Sequence, residues 1–136
     1  MSDFRRVNDR LSVSPQLSVQ DVNEAAAKGF KTIINNRPDG EAPDQPTSAE
    51  IEAAAKAAGL NYVHIPVRGM PPSPDLAEQT CKAVESSPGP VLAFCRTGTR
   101  SISCYSIGQH MQGRDREELV ATAANAGYDL SNVLPA

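Results

Sequence analysis

Short apolar runs alternate along this chain with capped, helix-patterned segments, and that alternation leaves few folds open. Phe30-Lys31-Thr32-Ile33-Ile34-Asn35, Tyr62-Val63-His64-Ile65-Pro66-Val67 and Val91-Leu92-Ala93-Phe94 are short and rich in residues that suit a buried, pleated strand. Between them lie segments with helix start and stop signals. Ser18 with Asp21 reads as a capping box and Gly29 as the stop, and Val19, Val22, Ala25 and Ala26 share one face between them. Thr47 with Glu50 repeats the device and ends at Gly59. Ser73 before Pro74 reads as N-cap and first helical position of a helix running to about Ser86. A further helix is expected from roughly Arg100 to Gln112, and Asp115 with Glu118 caps a last one that stops at Gly127. Strands alternating with helices imply right-handed β-α-β crossovers. The expected architecture is therefore an α/β fold in three layers, with a mostly parallel central sheet flanked by helices on both faces. Leu11-Ser12-Val13 is expected as a short edge strand, and Pro66 as the point where its strand leaves the sheet.

The 136 residues suit one domain spanning 1–136. With 21% charged residues and a net charge of −3 the chain is mildly acidic, without the clustered Lys and Arg of a nucleic-acid footprint. No apolar stretch reaches the ~18 residues that a membrane span needs. Met1 to Arg6 lacks the apolar core of a signal peptide, so a cytoplasmic location is expected, with neither nucleic acid nor membrane as partner. The cysteines Cys81, Cys95 and Cys104 have neither the even count of a disulfide framework nor metal-ligand spacing, and His64 and His110 lie far apart. No metal and no cofactor is expected. The oligomeric state is left open.

In an open parallel sheet, ligands bind outside the carboxyl ends of the strands. Cys95-Arg96-Thr97-Gly98-Thr99-Arg100-Ser101 sits at that edge, as do the loops after Asn35 and Val67. A cysteine between a strand and a helix faces the unsatisfied N–H groups and partial positive charge of the helix N-terminus. Both favour a thiolate and an anion bound beside it. Cys95 is thus expected as a nucleophile, with the N–H groups of residues 96 to 101 converging on one point. Arg100 grips two oxygens of an oxyanion with its planar fork. Gly98 supplies the positive φ that a ring of inward amides often needs. Arg96 contributes to the anion site, Thr97 and Thr99 add hydroxyl donors, and Ser101 hydrogen-bonds the sulfur. Arg37 and Arg68, from the two neighbouring loops, are further anion contacts, and phosphate or another oxyanion is the expected ligand. The blander reading of a buried cysteine is a small core hydrophobe; it is expected for Cys81 and Cys104, whereas a glycine and two arginines follow Cys95 at once.

Cys95 to Ser101 resembles the signature loop of cysteine-dependent phosphatases, which reads Cys, five residues, Arg, then Ser or Thr. Three segments carry a wider likeness: Gly29 to Glu41, Tyr62 to Val67, and the cysteine loop. From Ser12 to about Gln112 the chain resembles a bacterial phosphatase-like family, found alone or fused to metallo-β-lactamase-fold proteins and called β-lactamase-hydrolase-like. The resemblance implies a dual-specificity-phosphatase-like fold and hydrolysis of phosphate monoesters through a phosphocysteine. Two features depart from it. Only four residues separate Cys95 from Arg100, and Phe94 stands where phosphatases commonly carry histidine. The shorter Cys-Arg-x-Gly-x-Arg-Ser form is similar to the loop of rhodanese-type sulfurtransferases, which carry a persulfide on the cysteine. A phosphatase also protonates its leaving alkoxide. The loop after the second strand offers Arg68 where an acid would stand, and Asp75 lies further along; of the remaining acids, Asp39 is expected in that role over Glu41. Three readings follow: a phosphatase-like hydrolase, a sulfurtransferase that needs no acid, and a non-catalytic anion-binding domain.

Overall fold

The capping signals become hydrogen bonds. In this computed structural model, which describes residues 3–135, Ser18 and Thr47 each form a complete capping box, and Ser73 and Asp115 each accept from the backbone N–H of the third residue of their helix. The helices so started are α1 (Val19–Ala27), α2 (Ser48–Ala57), α3 (Pro74–Ser86) and α5 (Arg116–Asn125); α4 spans Thr99–Met111. The strands are β1 (Arg5–Arg6), β2 (Leu11–Ser14), β3 (Thr32–Asn35), β4 (Asn61–His64) and β5 (Val91–Phe94).

They form one five-stranded sheet in the order β1-β2-β5-β3-β4. All pairings are parallel except β1 with β2. Two expectations are corrected here. Leu11-Ser12-Val13 is not at the edge: the amides of Val7 and Asn8 bond the Leu11 carbonyl, and this tight turn lays Arg5–Arg6 along β2 as the true edge. On the opposite side β4 is the edge and stops at His64, sooner than expected. Beyond it Ile65 and Val67 still donate to the carbonyls of Asn35 and Asn36, while Pro66, lacking an N–H, sits between them.

Period-two alternation along β5 divides the interior into two cores. Leu92 and Phe94 pack with Val22, Ala25, Ile51 and Ala55 of α1 and α2. Val91 and Ala93 pack on the other face with Ala77, Cys81, Ile102, Tyr105 and Leu119 of α3, α4 and α5. Val19, expected on the apolar face of α1, is exposed. Burial pushes the thiol of Cys81 up to about 11 and that of Cys104 up to about 12, so both are neutral packing groups. Among the described residues no helix is long and apolar enough to cross a membrane, and no group of three or more His, Cys, Asp or Glu is placed to hold a metal ion.

The helix that leads away from the central strand is held at close quarters. A Cβ on Gly108 of α4 would overlap Cys81 Sγ and lie 2.8 Å from the Ala77 carbonyl oxygen of α3. Gly108→Ala is therefore expected to lower stability by about 1–3 kcal/mol, the usual cost of overpacking. A urea titration should show a lower midpoint at an unchanged slope.

Candidate active site

β5 ends at Phe94, in the middle of the sheet, and the chain turns through residues 95 to 98 into α4. The Cys95 amide reaches the Ser14 carbonyl at 3.4 Å, and the Asn36 amide donates to the Phe94 carbonyl at 2.8 Å, so β2 and β3 both fix the base of the loop. Cys95 is buried, but its sulfur is not enclosed by apolar groups alone: the Gly98 N–H donates to Sγ at 3.0 Å. Gly98 is the N-cap of α4, at φ +92° and ψ −13°. That left-handed conformation folds the loop back on the sulfur, and it needs glycine. Among the described helices α4 is also the one whose N-cap offers no side-chain oxygen. Its first turn faces the loop mouth with a partial positive charge.

Tyr128 fastens the loop from behind. Its hydroxyl donates to the Thr97 carbonyl at 2.8 Å, and the Arg5 guanidinium lies 5.1 Å from the centre of its ring. A Cβ on Gly98 would overlap that hydroxyl. Sequence reading passed over Tyr128, a single tyrosine after the last helix with no motif around it.

Arg100 is pinned from two sides. Its Nη1 donates to Glu41 Oε2 at 2.8 Å and to the Val67 carbonyl at 2.7 Å, and its Nη2 donates to Glu41 Oε1 at 2.8 Å. Arg37 is buried and gives Nε to Glu41 Oε1 and Nη1 to Gln16 Oε1, both at 2.9 Å. Its own amide donates to Asn35 Oδ1 at 2.8 Å, and its carbonyl lies 2.9 Å from His64 Nε2. Glu41 thus bridges two guanidinium groups. The hydrogen bonds from Arg100 above all, joined by the one from Arg37, outweigh partial burial and hold its carboxyl down at about 2, against an ordinary 4.5. A group depressed in this way stabilises the fold above its ordinary value and loses that contribution as the pH falls toward 2.

This geometry places the acids of the loop after β3 and corrects the contact expected of Ser101. Asp39, expected over Glu41, accepts the Ser48 N–H at 2.7 Å and so serves the first turn of α2, two residues along the loop from the carboxylate that reaches Arg100. Ser101 does not bond the sulfur; its hydroxyl is buried without a hydrogen-bond partner among the described residues. The hydroxyls of Thr97 and Thr99 bond each other at 3.0 Å on the exposed rim. Of the other expected residues, Arg37, Arg68, Arg96, Thr97, Thr99 and Arg100 line two clefts that share residues. A cleft of about 480 Å³ is lined by Arg37, Glu41, Arg96 and Arg100 with Ala42 and Pro43. A second, of about 370 Å³, shares Glu41, Arg96 and Arg100 with it and adds Arg68, Thr97 and Thr99.

A mostly parallel sheet covered on both faces, whose central strand ends in a cysteine loop leading into an arginine-bearing helix, belongs to the cysteine-phosphatase fold class. Residues 3–112 match the family described as the phosphatase-like domain of beta-lactamase hydrolase-like proteins, and the chain belongs to that family. It is 38% identical over 130 residues to a beta-lactamase hydrolase-like protein of Agrobacterium fabrum, an alignment covering 92% of this chain and 29% of the relative. The chain thus spans under a third of that longer protein. Among solved structures it superposes on a candidate phosphatase of Neisseria meningitidis with a TM-score of 0.87 at 33% identity, covering 97% of this chain and 94% of the other. The fold is shared more distantly with P. aeruginosa TpbA, solved in complex with phosphotyrosine: TM-score 0.68, 16% identity, 96% of this chain and 78% of the other.

Proposed function

We propose that the chain is a cysteine-dependent phosphatase-like hydrolase acting on phosphate monoesters. The observation that carries this reading is the Gly98 amide on Cys95 Sγ at the uncapped start of α4, beside a fixed Arg100. Cys95 Sγ attacks phosphorus as the thiolate. The ester P–O bond breaks and the leaving oxygen takes its electron pair. Water then attacks the phosphocysteine, giving inorganic phosphate and the free thiolate. Amides of the loop and of the first turn of α4 stabilise charge on the transferring group. Glu41 and the Val67 carbonyl take both Nη1 donors and one Nη2 donor of Arg100, which leaves Nε–H and the second Nη2 N–H for the oxyanion. Glu41 is then a positioning residue.

Glu41, the carboxylate that lines both clefts, is not the group that protonates the leaving oxygen. A carboxyl held at about 2 is ionised at any working pH and has no proton to give. General acid catalysis contributes about 10²–10⁴-fold where it operates. Aryl phosphates with weakly basic leaving groups are therefore expected to outrun alkyl phosphates by about that factor or more. The test is kcat/KM across phenyl phosphates of rising phenol basicity, where a steep decline is expected. A flat series would show that a proton is being delivered and would overturn this account of the site.

The same observation favours sulfur transfer as a second reading. There the Cys95 thiolate attacks the outer sulfur of a donor, the S–S bond breaks, and the departing thiolate or sulfite needs no proton. The four-residue spacing of the loop supports it as well. Assaying an aryl phosphate beside thiosulfate with cyanide separates the two. Gain of one sulfur atom on Cys95, seen by mass spectrometry, marks the second.

A further inference from the structure

The arginines of this chain are nearly all engaged. Arg5, Arg6, Arg37, Arg100, Arg114 and Arg116 each hold a carboxylate, and Arg10 holds the carbonyls of Val84 and Ser87. Among the described residues, Arg68 and Arg96 are the two arginines whose guanidinium groups have no hydrogen-bond or ion-pair partner, and both line the cleft above the cysteine loop. They come from different elements. Arg68 follows Val67, whose carbonyl fixes Arg100, and Arg96 follows Cys95 directly. The carboxylate lining that cleft is Glu41, and it is already taken by Arg37 and Arg100. The cleft is therefore left with two guanidinium charges that no carboxylate offsets. The amount exceeds what the reacting oxyanion requires, since the amides of the first turn of α4 and Arg100 already attend to that.

We infer that the site selects a small molecule carrying a second anionic group, carboxylate or phosphate, beside the oxyanion that reacts at Cys95, and that Arg68 and Arg96 hold it. The inference rests on the proposed hydrolase reading for the position of the first anion. Guanidinium groups suit the task because each presents a planar fork that matches carboxylate or phosphate oxygens bidentately. The two clefts, about 370 and 480 Å³, are in the range that small ligands occupy. Arg96 lines both, so a bound molecule bridges from the loop mouth toward Arg68.

The experiment compares meta-carboxyphenyl phosphate with its neutral isostere, meta-carbamoylphenyl phosphate, in the wild type and in Arg68→Gln/Arg96→Gln. The wild type is expected to favour the carboxylate about tenfold or more in kcat/KM, carried by KM and weakened by salt. In the double variant the ratio should fall to near one. A wild-type ratio of one overturns the inference, as does a preference that survives the double substitution. So does a preference seen only among phosphopeptides with acidic neighbours. Should neither ester be turned over, the hydrolase reading fails and binding decides separately. Methylenebisphosphonate binding about tenfold tighter than inorganic phosphate, with the gain lost in the double variant, upholds the second-anion site; equal binding of the two overturns it.

Discussion

Cys95→Ser is expected to stop turnover of an aryl phosphate, lowering kcat by about 10⁴-fold or more, as loss of a nucleophile does in other covalent mechanisms. The size follows from ionisation. A thiol is already a few per cent thiolate near neutral pH and is intrinsically a strong nucleophile, whereas a serine hydroxyl stays protonated. The variant should fold normally, because the hydroxyl replaces the thiol in nearly the same space and still accepts from the Gly98 N–H. It should also keep its affinity for inorganic phosphate within a few-fold, since the amides of α4 and Arg100 are untouched. Steady-state kinetics and calorimetric titration with phosphate read the two halves of this expectation. Turnover at the wild-type rate would remove the nucleophile from the mechanism.

Gly98→Ala should be the most damaging change outside the reacting atom. An alanine at φ +92° bears a backbone cost of about 1–2 kcal/mol. Its methyl group would overlap the Tyr128 hydroxyl and stand 3.0 Å from Cζ of that ring, adding about 1–3 kcal/mol of overpacking. If the loop relaxes, Sγ and the first turn of α4 shift against each other, and a displacement of about 1 Å costs about 10²-fold in rate. Tyr128→Phe alone should cost about 1 kcal/mol, because it leaves the Thr97 carbonyl without its donor. Gly98→Ala with Tyr128→Phe should recover part of the stability but not all, since the hydroxyl overlap goes while the φ strain remains. Thermal melts of the four proteins separate the contributions. A Gly98→Ala protein as stable and active as the wild type would mean that the loop is not held in this way.

What could be read from the chain beforehand was what neighbouring residues decide among themselves. Ser18 with Asp21, Thr47 with Glu50, Ser73 with Pro74 and Asp115 with Glu118 act over one helical turn, and each starts its helix where expected. The order of strand, Cys95, glycine, arginine and helix is likewise local, and it lands at the carboxyl end of the central strand. What could not be read lies where distance in sequence is large. Asp39 and Glu41 share one loop and one chemistry; which of them meets Arg100, 59 residues from Glu41, is settled by how the loop packs. Arg5–Arg6 pairs with β2 through two residues that carry no alternating pattern, so nothing marked β2 as interior. Gln16, which steadies Arg37, and Tyr128, 31 residues beyond Thr97, carry no signal in a single sequence.

Tyr128 lies outside residues 3–112, the stretch by which the family is recognised. A shortened protein ending at Gln112 would retain every residue from Cys95 to Ser101 and still lose the clasp that keeps their shape. The sequence of the cysteine loop therefore does not by itself set how firmly it is shut from below, because the tail contributes to that firmness.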